Sequence, residues 1–126
     1  MMLAFRIAAA AALSLSTLAA AQIAPAPVQM ITMVSYSYAP KPIVLRAGQP
    51  VTLQFVNRAG KAHDFTAVRF FQSARILSGR VEGGEVELRP GQIANVTLIP
   101  MAGRYKAYCT HTFHKVLGMS TTILVQ

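Results

Sequence analysis

Short runs of alternating apolar and polar residues make up most of the chain after residue 28. In the stretch VTLQFVN, Val51, Leu53 and Phe55 are separated by Thr52 and Gln54. In an extended strand, successive side chains point to opposite faces. Alternation of apolar and polar residues therefore predicts strands with one buried face. No segment of useful length has the period of an amphipathic helix.

Eight runs of this kind are separated by residues that form turns. Gly and Pro in the breaks AGQP, RPGQ and PMAG supply the backbone angles of tight turns. Strands of this length and spacing predict an all-β antiparallel sandwich or barrel. The segment FFQSARILSG, residues 70–79, fits either a helical turn or a loop that crosses between sheets. The eight predicted strand runs are QMITMVSYSY, PIVLRA, PVTLQFVN, DFTAVRFF, GEVELRP, QIANVTLIP, GRYKAYC and MSTTILVQ.

The first 21 residues have a different composition. One cation, Arg6, precedes an apolar stretch over residues 7–18, and three alanines follow at 19–21. This order is typical of a secretory signal peptide and predicts cleavage before Gln22. The apolar stretch is shorter than the roughly 20 residues of a membrane span, and no second candidate follows; a retained anchor helix is the alternative. The predicted protein is periplasmic or secreted, with a linker over residues 22–28 and one domain over 29–126.

Removal of residues 1–21 leaves 105 residues, which suffice for one domain with a single core. We expect a monomer. The formal net charge is +8 at pH 7, and cleavage of the predicted signal peptide removes only one cation, Arg6. The remaining cations are scattered singly, which does not fit a nucleic-acid surface and favours an acidic partner or anionic surface.

The stretch YCTHTFHKVLGM near the carboxyl end contains the chemistry-bearing residues. It holds the single cysteine, Cys109, together with His111, His114 and Met119. One cysteine in an oxidising compartment has no internal disulfide partner. Cys109 is therefore buried, paired with another chain, or bound to a metal.

The predicted strands place these residues in a loop at one end of the sandwich. One strand closes at Cys109 and the last begins at Met119, while His63 follows another strand end. Loops gathered at the end of a rigid scaffold commonly carry functional sites. Two His, one Cys thiolate and one Met form the ligand set of a blue-copper site, with a trigonal His₂Cys plane and a weak axial thioether.

The chain resembles the cupredoxin family over essentially all of its predicted mature length. The matching features are the loop NRAGKAHDF, a PG turn before the strand 92–99, the strand GRYKAYC, the spacing Cys-x4-His-x4-Met, and a final strand ending in ILV. The resemblance implies a Greek-key β-sandwich of seven to eight strands. It also implies one copper ion, Cu(I) or Cu(II), bound by His63, Cys109, His114 and Met119.

By the same resemblance the function is single-electron transfer with a redox protein as partner. A periplasmic copper carrier or copper-homeostasis protein that hands the metal to an acceptor is the alternative, and a pure interaction module is a third. The protein is not expected to be an enzyme. The H-x3-G-M ending is similar to that of multicopper oxidases, but their trinuclear cluster needs several His-x-His pairs, and a binuclear centre needs two Cys.

Two positions depart from the family pattern. Many members have an amide side chain after the first histidine, where this chain has Asp64. A carboxylate there is expected to favour Cu(II) and lower the reduction potential unless it faces solvent or pairs with Arg or Lys. The loop over residues 110–113 also lacks the common Pro or Gly. His111 occupies no ligand position and is predicted to be a solvent-exposed loop residue, with an auxiliary metal contact as the alternative.

Overall fold

The computed structural model describes residues 11–19, 24–114 and 116–126. The predicted signal peptide lies largely outside the described residues, and residues 11–19 form neither helix nor strand. Within the described part of the chain, no helix has the length and apolar character to cross a membrane. The elements are β1 (Val28–Val34), β2 (Ser37–Ala39), β3 (Ile43–Leu45), β4 (Val51–Asn57), β5 (His63–Thr66), α1 (Val68–Ser73), β6 (Arg75–Ser78), β7 (Glu85–Leu88), β8 (Ile93–Ile99), β9 (Gly103–Tyr108) and β10 (Ser120–Val125).

The strands form two five-stranded sheets. One sheet has the order β2-β1-β4-β8-β6 and the other the order β3-β10-β9-β5-β7. The pairs β1–β4 and β3–β10 are parallel, and the other pairs are antiparallel. This is the predicted all-β Greek-key sandwich. The described residues contain ten strands rather than seven or eight, because the first predicted run divides into β1 and β2 and because β6 was not predicted as a strand.

The core lies between the sheets and follows the predicted alternation. On β4, Val51, Leu53 and Phe55 are buried, and Phe55 contacts Phe65 of β5 with ring centroids 5.0 Å apart. Burial of one such aromatic side chain contributes about 1.5–3 kcal/mol to folding. The strands that carry the site are therefore held on a packed scaffold.

The run DFTAVRFF was wrongly predicted to be one strand. Strand β5 ends at Thr66, and α1 begins at Val68. The neighbouring residues Phe70 and Phe71 are both buried, which a helical turn permits and a strand with one buried face does not. The following strand β6 pairs with β8 in the opposite sheet. The segment over residues 70–79 thus contains part of a helical turn and also crosses between the sheets.

One end of the sandwich gathers the segments that carry the candidate ligands. Strand β5 begins there with His63, while β9 ends and β10 starts there, and these two strands pair side by side. Thr66 of β5 pairs with Tyr108 at the end of β9. Because the two strands are antiparallel, the residues of β5 before Thr66 lie beside the residues that follow Tyr108, and Asp64 contacts Cys109.

Candidate metal centre

The loop between β9 and β10 is closed by its own backbone. The Cys109 N–H donates to the Met119 carbonyl at 3.1 Å, and the Met119 N–H donates to the His114 carbonyl at 3.0 Å. Gly118, just before Met119, has a φ of +94°, a left-handed conformation that glycine adopts easily. These bonds bring Cys109, His114 and Met119 together although Met119 is ten positions after Cys109.

A second loop, over residues 58–62, delivers His63 to the same place. The fully buried side chain of Asn57 ties this loop down, because its amide donates to the Lys61 carbonyl at 2.8 Å and to the Leu88 carbonyl at 3.2 Å. Its side-chain oxygen accepts from the Ala59 N–H at 3.0 Å. His63 therefore enters β5 from a fixed loop.

Three donor atoms form a small triangle at the junction of these loops. His63 Nδ1 and His114 Nδ1 are 3.1 Å apart, and Cys109 Sγ lies 3.4 Å from His114 Nδ1 and 3.9 Å from His63 Nδ1. A trigonal ion bound at typical lengths, about 2.0–2.1 Å to nitrogen and 2.3 Å to sulfur, separates its donors by about 3.5–3.8 Å. The three edges match this separation to within a few tenths of an ångström. The residues fit a single soft metal ion.

Met119 lies beside this triangle. Its side chain is completely buried, and its backbone is bonded to both Cys109 and His114. His63 and Cys109 are also buried, whereas His114 is only half-buried. The structure thus brings all four predicted site residues to one end of the sandwich, with His114 toward the surface.

The turn between β1 and β2 covers the two imidazoles, a role that the sequence did not predict. Ser35 Oγ lies 3.0 Å from His63 Nε2. Tyr36 packs on both rings, with centroids 6.2 Å from His63 and 4.9 Å from His114, and its hydroxyl accepts from Lys61 Nζ at 3.2 Å. Nothing in the local sequence pattern marks Ser35 or Tyr36, because their role arises from contacts across 27 or more residues.

Asp64 joins the two ligand-bearing loops. Its buried carboxylate accepts from the Thr66 hydroxyl at 2.7 Å, and from the Thr110 N–H at 3.1 Å and the Thr110 hydroxyl at 2.5 Å. Its own N–H donates to Cys109 Sγ at 3.5 Å. The carboxylate faces neither solvent nor any Arg or Lys in the described part of the chain. It therefore stays near the Cys109 thiol and accepts hydrogen bonds from Thr66 and Thr110.

His111 is partly buried rather than exposed to solvent as predicted. Its Nε2 lies 2.8 Å from Glu87 Oε1 and 3.8 Å from Asp64 Oδ2, and its ring stacks on His114 with centroids 5.4 Å apart. Donor atoms of Asp64, Cys109 and His111 also lie within 4.8 Å of one another. Cys109 therefore belongs to two overlapping groups, and the His63–Cys109–His114 group offers the softer donor set for copper.

Burial sets the protonation of the three donors. It lowers the pKa of His63, and the nearby imidazoles of His114 and His111 lower that pKa further. Burial also lowers the pKa of His114, with help from His111 and Lys61. Burial raises the pKa of the Cys109 thiol, while the backbone N–H groups of Asp64 and His111, which donate to its sulfur, lower that pKa. At neutral pH the imidazoles offer free lone pairs, and metal binding releases the thiol proton.

The fold and this group of donors define a small single-domain β-sandwich with a cluster of soft donors at one end that could hold a metal ion. Residues 5–125 match the family described as the cupredoxin-like domain, and the chain belongs to this family. A comparison with curated protein sequences gives no match.

Several solved structures of other proteins share this fold. Auracyanin B is 20% identical, with a TM-score of 0.61 over 83% of this chain and 92% of its own. An auracyanin from the photosynthetic bacterium Roseiflexus castenholzii is 21% identical, with a TM-score of 0.60 over 82% and 98%. A multicopper oxidase from Campylobacter jejuni, a metallo-oxidase, is 13% identical with a TM-score of 0.63, and the match covers 82% of this chain but 31% of the oxidase. At these identities the likeness shows the fold alone.

Proposed function

We propose that the protein is an exported copper protein that carries single electrons. His63, Cys109 and His114 would hold one copper ion in a plane, with Met119 as the axial donor. The observation that carries the proposal is the donor triangle with edges of 3.1, 3.4 and 3.9 Å at the end of a packed sandwich. Membership of the cupredoxin-like family and the shared fold with auracyanins support it.

Bound copper supplies one-electron chemistry between Cu(I) and Cu(II). The protein contributes a fixed donor set, since each ligand-bearing loop is tied by hydrogen bonds that do not involve a metal. The Asp64 N–H donates to the sulfur, and the Asp64 carboxylate adds negative charge beside it. That charge favours the oxidised ion, so Asp64 is expected to lower the reduction potential.

The surface near His114 suits brief contact with a redox partner. Phe113, Val116 and Leu117 are neighbours of His114 in the loop, and their side chains are 73%, 85% and 56% exposed. A contiguous exposed apolar patch commonly marks an interaction site. His114 is the half-buried member of the donor group, so electrons would enter and leave on this side.

The amino-terminal pattern supports export with removal of residues 1–21, followed by a short linker and the domain over residues 29–126. In this proposal the mature protein acts in the periplasm or outside the cell as a monomeric carrier. It performs no catalytic turnover of its own.

Copper delivery is the second candidate function. The half-buried position of His114 favours it, because an acceptor's ligand also has access to the metal position from that side. The same four residues would then hold copper for transfer rather than for redox cycling.

The variant Met119→Leu separates the two functions. Leucine fills a similar volume, so the fold should survive at a cost below about 1.5 kcal/mol. An electron carrier should retain copper through the other three residues, show a higher reduction potential because the axial donor is lost, and transfer Cu(I) to a chelator at the wild-type rate. The measurements are protein-film voltammetry and stopped-flow transfer of Cu(I) to the chelator.

Met101→Leu is the matched control, because Met101 is exposed in the turn before β9 and should change neither quantity. Much faster Cu(I) transfer from Met119→Leu, with no such change in Met101→Leu, would replace electron transfer by copper delivery. Loss of Cu(II) and Cu(I) binding altogether would contradict the proposed ligand plane.

A further inference from the structure

An open groove of about 490 Å³ lies on the outer face of the sheet β3-β10-β9-β5-β7. Three cations line it: Lys41, Arg104 and Lys106. The uncharged residues Thr122 and Leu124 lie among them, and no acidic residue lines the groove.

Strand geometry explains why the cations converge. Arg104 and Lys106 are two residues apart on β9, so both point away from the core, and both are exposed. In the register of the sheet, Lys106 pairs with Thr122 and Arg104 with Leu124 of β10. Lys41 precedes β3, which pairs with β10 on its other side. The short side chains of β10 thus form the floor, and the cations stand along it.

The chain has no anion available for these cations. Its four acidic residues all lie in the described part of the chain and gather at the opposite edge of the same sheet, on β5, β7 and the turn before β7. The Asp64 carboxylate is bonded to Thr66 and Thr110, and Glu87 pairs with His111. Glu82 pairs with Arg80, and Glu85 lines a different hollow. None of the three groove cations makes an ion pair within the described residues.

We propose that this cationic groove is a docking site for an acidic segment of a partner protein. Unpaired cations along a concave strip complement a row of Asp or Glu side chains, and such complementarity speeds association and selects partners. The cations line a hollow instead of projecting from a convex face, so an extended peptide chain matches them better than a flat lipid surface does. The acidic residues lie toward the other edge of the same sheet, and this separation of charge orients an approaching acidic partner toward the groove.

The groove reaches the candidate metal centre along both of its strands. Its lining includes Tyr108 and Ser120, which are the sequence neighbours of Cys109 and Met119. An acidic partner seated there lies close to the centre. That this partner exchanges electrons rests on the proposed function, whereas the docking itself depends only on the charges and shape of the groove.

The test measures binding of a fluorescein-labelled peptide of twelve glutamates to the copper-loaded mature protein by fluorescence anisotropy at low salt. The double variant R104E/K106E should raise the Kd at least about tenfold, because it reverses two groove charges. The variant R104Q/K106Q should raise the Kd less, because it only removes those charges. R69E/R75E is the matched control: both residues are exposed outside the groove, and the net charge changes equally. The control should change the Kd less than about threefold, an effect of overall charge alone.

Equal weakening in the groove and control variants would overturn the proposal, since it would then reflect net charge only. Absence of peptide binding to the wild type would also overturn it. Vesicles of phosphatidylglycerol and phosphatidylcholine serve as a second probe. If R104E/K106E lost vesicle binding but kept peptide binding, a lipid surface would replace the acidic segment. An unchanged copper absorption spectrum in the groove variants separates failure of docking from failure of the metal centre.

Discussion

The hydroxyl of Ser35 orients the imidazole of His63. To bind a metal through Nδ1, a neutral imidazole must carry its proton on Nε2, and Ser35 Oγ lies 3.0 Å from that atom. The Nε2–H then donates to Ser35, which fixes the tautomer and the ring orientation. Tyr36 holds the same ring from the side. The turn between β1 and β2 therefore acts on the site through contacts and without supplying a ligand.

Ser35→Ala is expected to weaken copper binding roughly tenfold, since loss of a hydrogen-bond partner to a metal-binding histidine typically costs 10–100-fold in affinity. Competition with a chelator of known copper affinity measures the change. Ser37→Ala is the matched control, because Ser37 lies two residues further along in β2, whereas the hydroxyl next to His63 Nε2 is that of Ser35. Equal affinities in the wild type and Ser35→Ala would show that Ser35 does not orient His63.

Asp64 shows what sequence reasoning at single positions can and cannot give. The sequence indicated that a carboxylate follows the first histidine, but not where it points. The structure places it in a buried network with Thr66 and Thr110, a connection across 46 residues that no local pattern encodes. For the same reason the contact of His111 with Glu87 was not predicted, and the histidine was assigned to solvent.

Among the elements, the two ligand-bearing loops are fixed in different ways. The loop after β9 closes through backbone bonds between Cys109, His114 and Met119. The loop before β5 is held by one side chain, that of Asn57, which makes four hydrogen bonds and is fully buried. The position of His63 therefore depends on a residue six positions before it.

Asn57→Ala should reduce the free energy of unfolding of the metal-free protein by about 2–4 kcal/mol, because several buried backbone groups lose their partners together. Urea unfolding followed by circular dichroism measures this change. Asn95→Ala is the control, since Asn95 is exposed on β8 and should cost less than about 0.5 kcal/mol. A loss from Asn57→Ala as small as that from Asn95→Ala would contradict the role of Asn57 as the anchor of the loop.

Element prediction succeeded where alternation was strong. Strand β4 was predicted from Val51, Leu53 and Phe55 and is observed with those residues buried. The strand prediction failed at Phe70 and Phe71. A run of aromatic and β-branched residues is typical of a strand, but here both neighbouring rings are buried, which a helical turn permits. Edge strand β6 escaped detection since all four of its residues are exposed and show no alternation of burial.

At the scale of the whole molecule, the fold class followed from strand spacing, and the gathering of candidate ligands followed from which strand ends were neighbours. The sequence also supplied the excess of positive charge. Its distribution did not follow from the sequence, because only the register of β9 against β10 and β3 aligns the groove cations, and only the pairing of β5 with β7 gathers the anions.

The buried histidines make the stability of the metal-free protein depend on pH. The ordinary histidine pKa of 6.5 is lowered by burial at His63 and His114 in the folded state. As the pH falls below 6.5, the unfolded chain takes up protons at these positions before the folded chain does. The unfolded state then binds more protons, so stability is lost from about pH 6.5 downward until the folded pKa values are passed.

Melting temperatures of the metal-free mature protein, measured between about pH 8 and pH 5, test this dependence. The melting temperature should fall on the acid side, and the variant H63Q/H114Q should show a shallower fall than the wild type. An equally steep fall in the variant would assign the effect to other groups.

The absorption and electron paramagnetic resonance spectra of the mature protein with one equivalent of Cu(II) test the central claim most directly. The wild type should bind one copper and show an intense band from the Cys109 thiolate to Cu(II), which Cys109→Ser should abolish because a hydroxyl is a poor ligand for soft copper. His63→Ala should also lose this spectrum, whereas His111→Ala should keep it. An unchanged spectrum in Cys109→Ser, or loss of the band in His111→Ala with retention in His63→Ala, would contradict a copper centre formed by His63, Cys109 and His114.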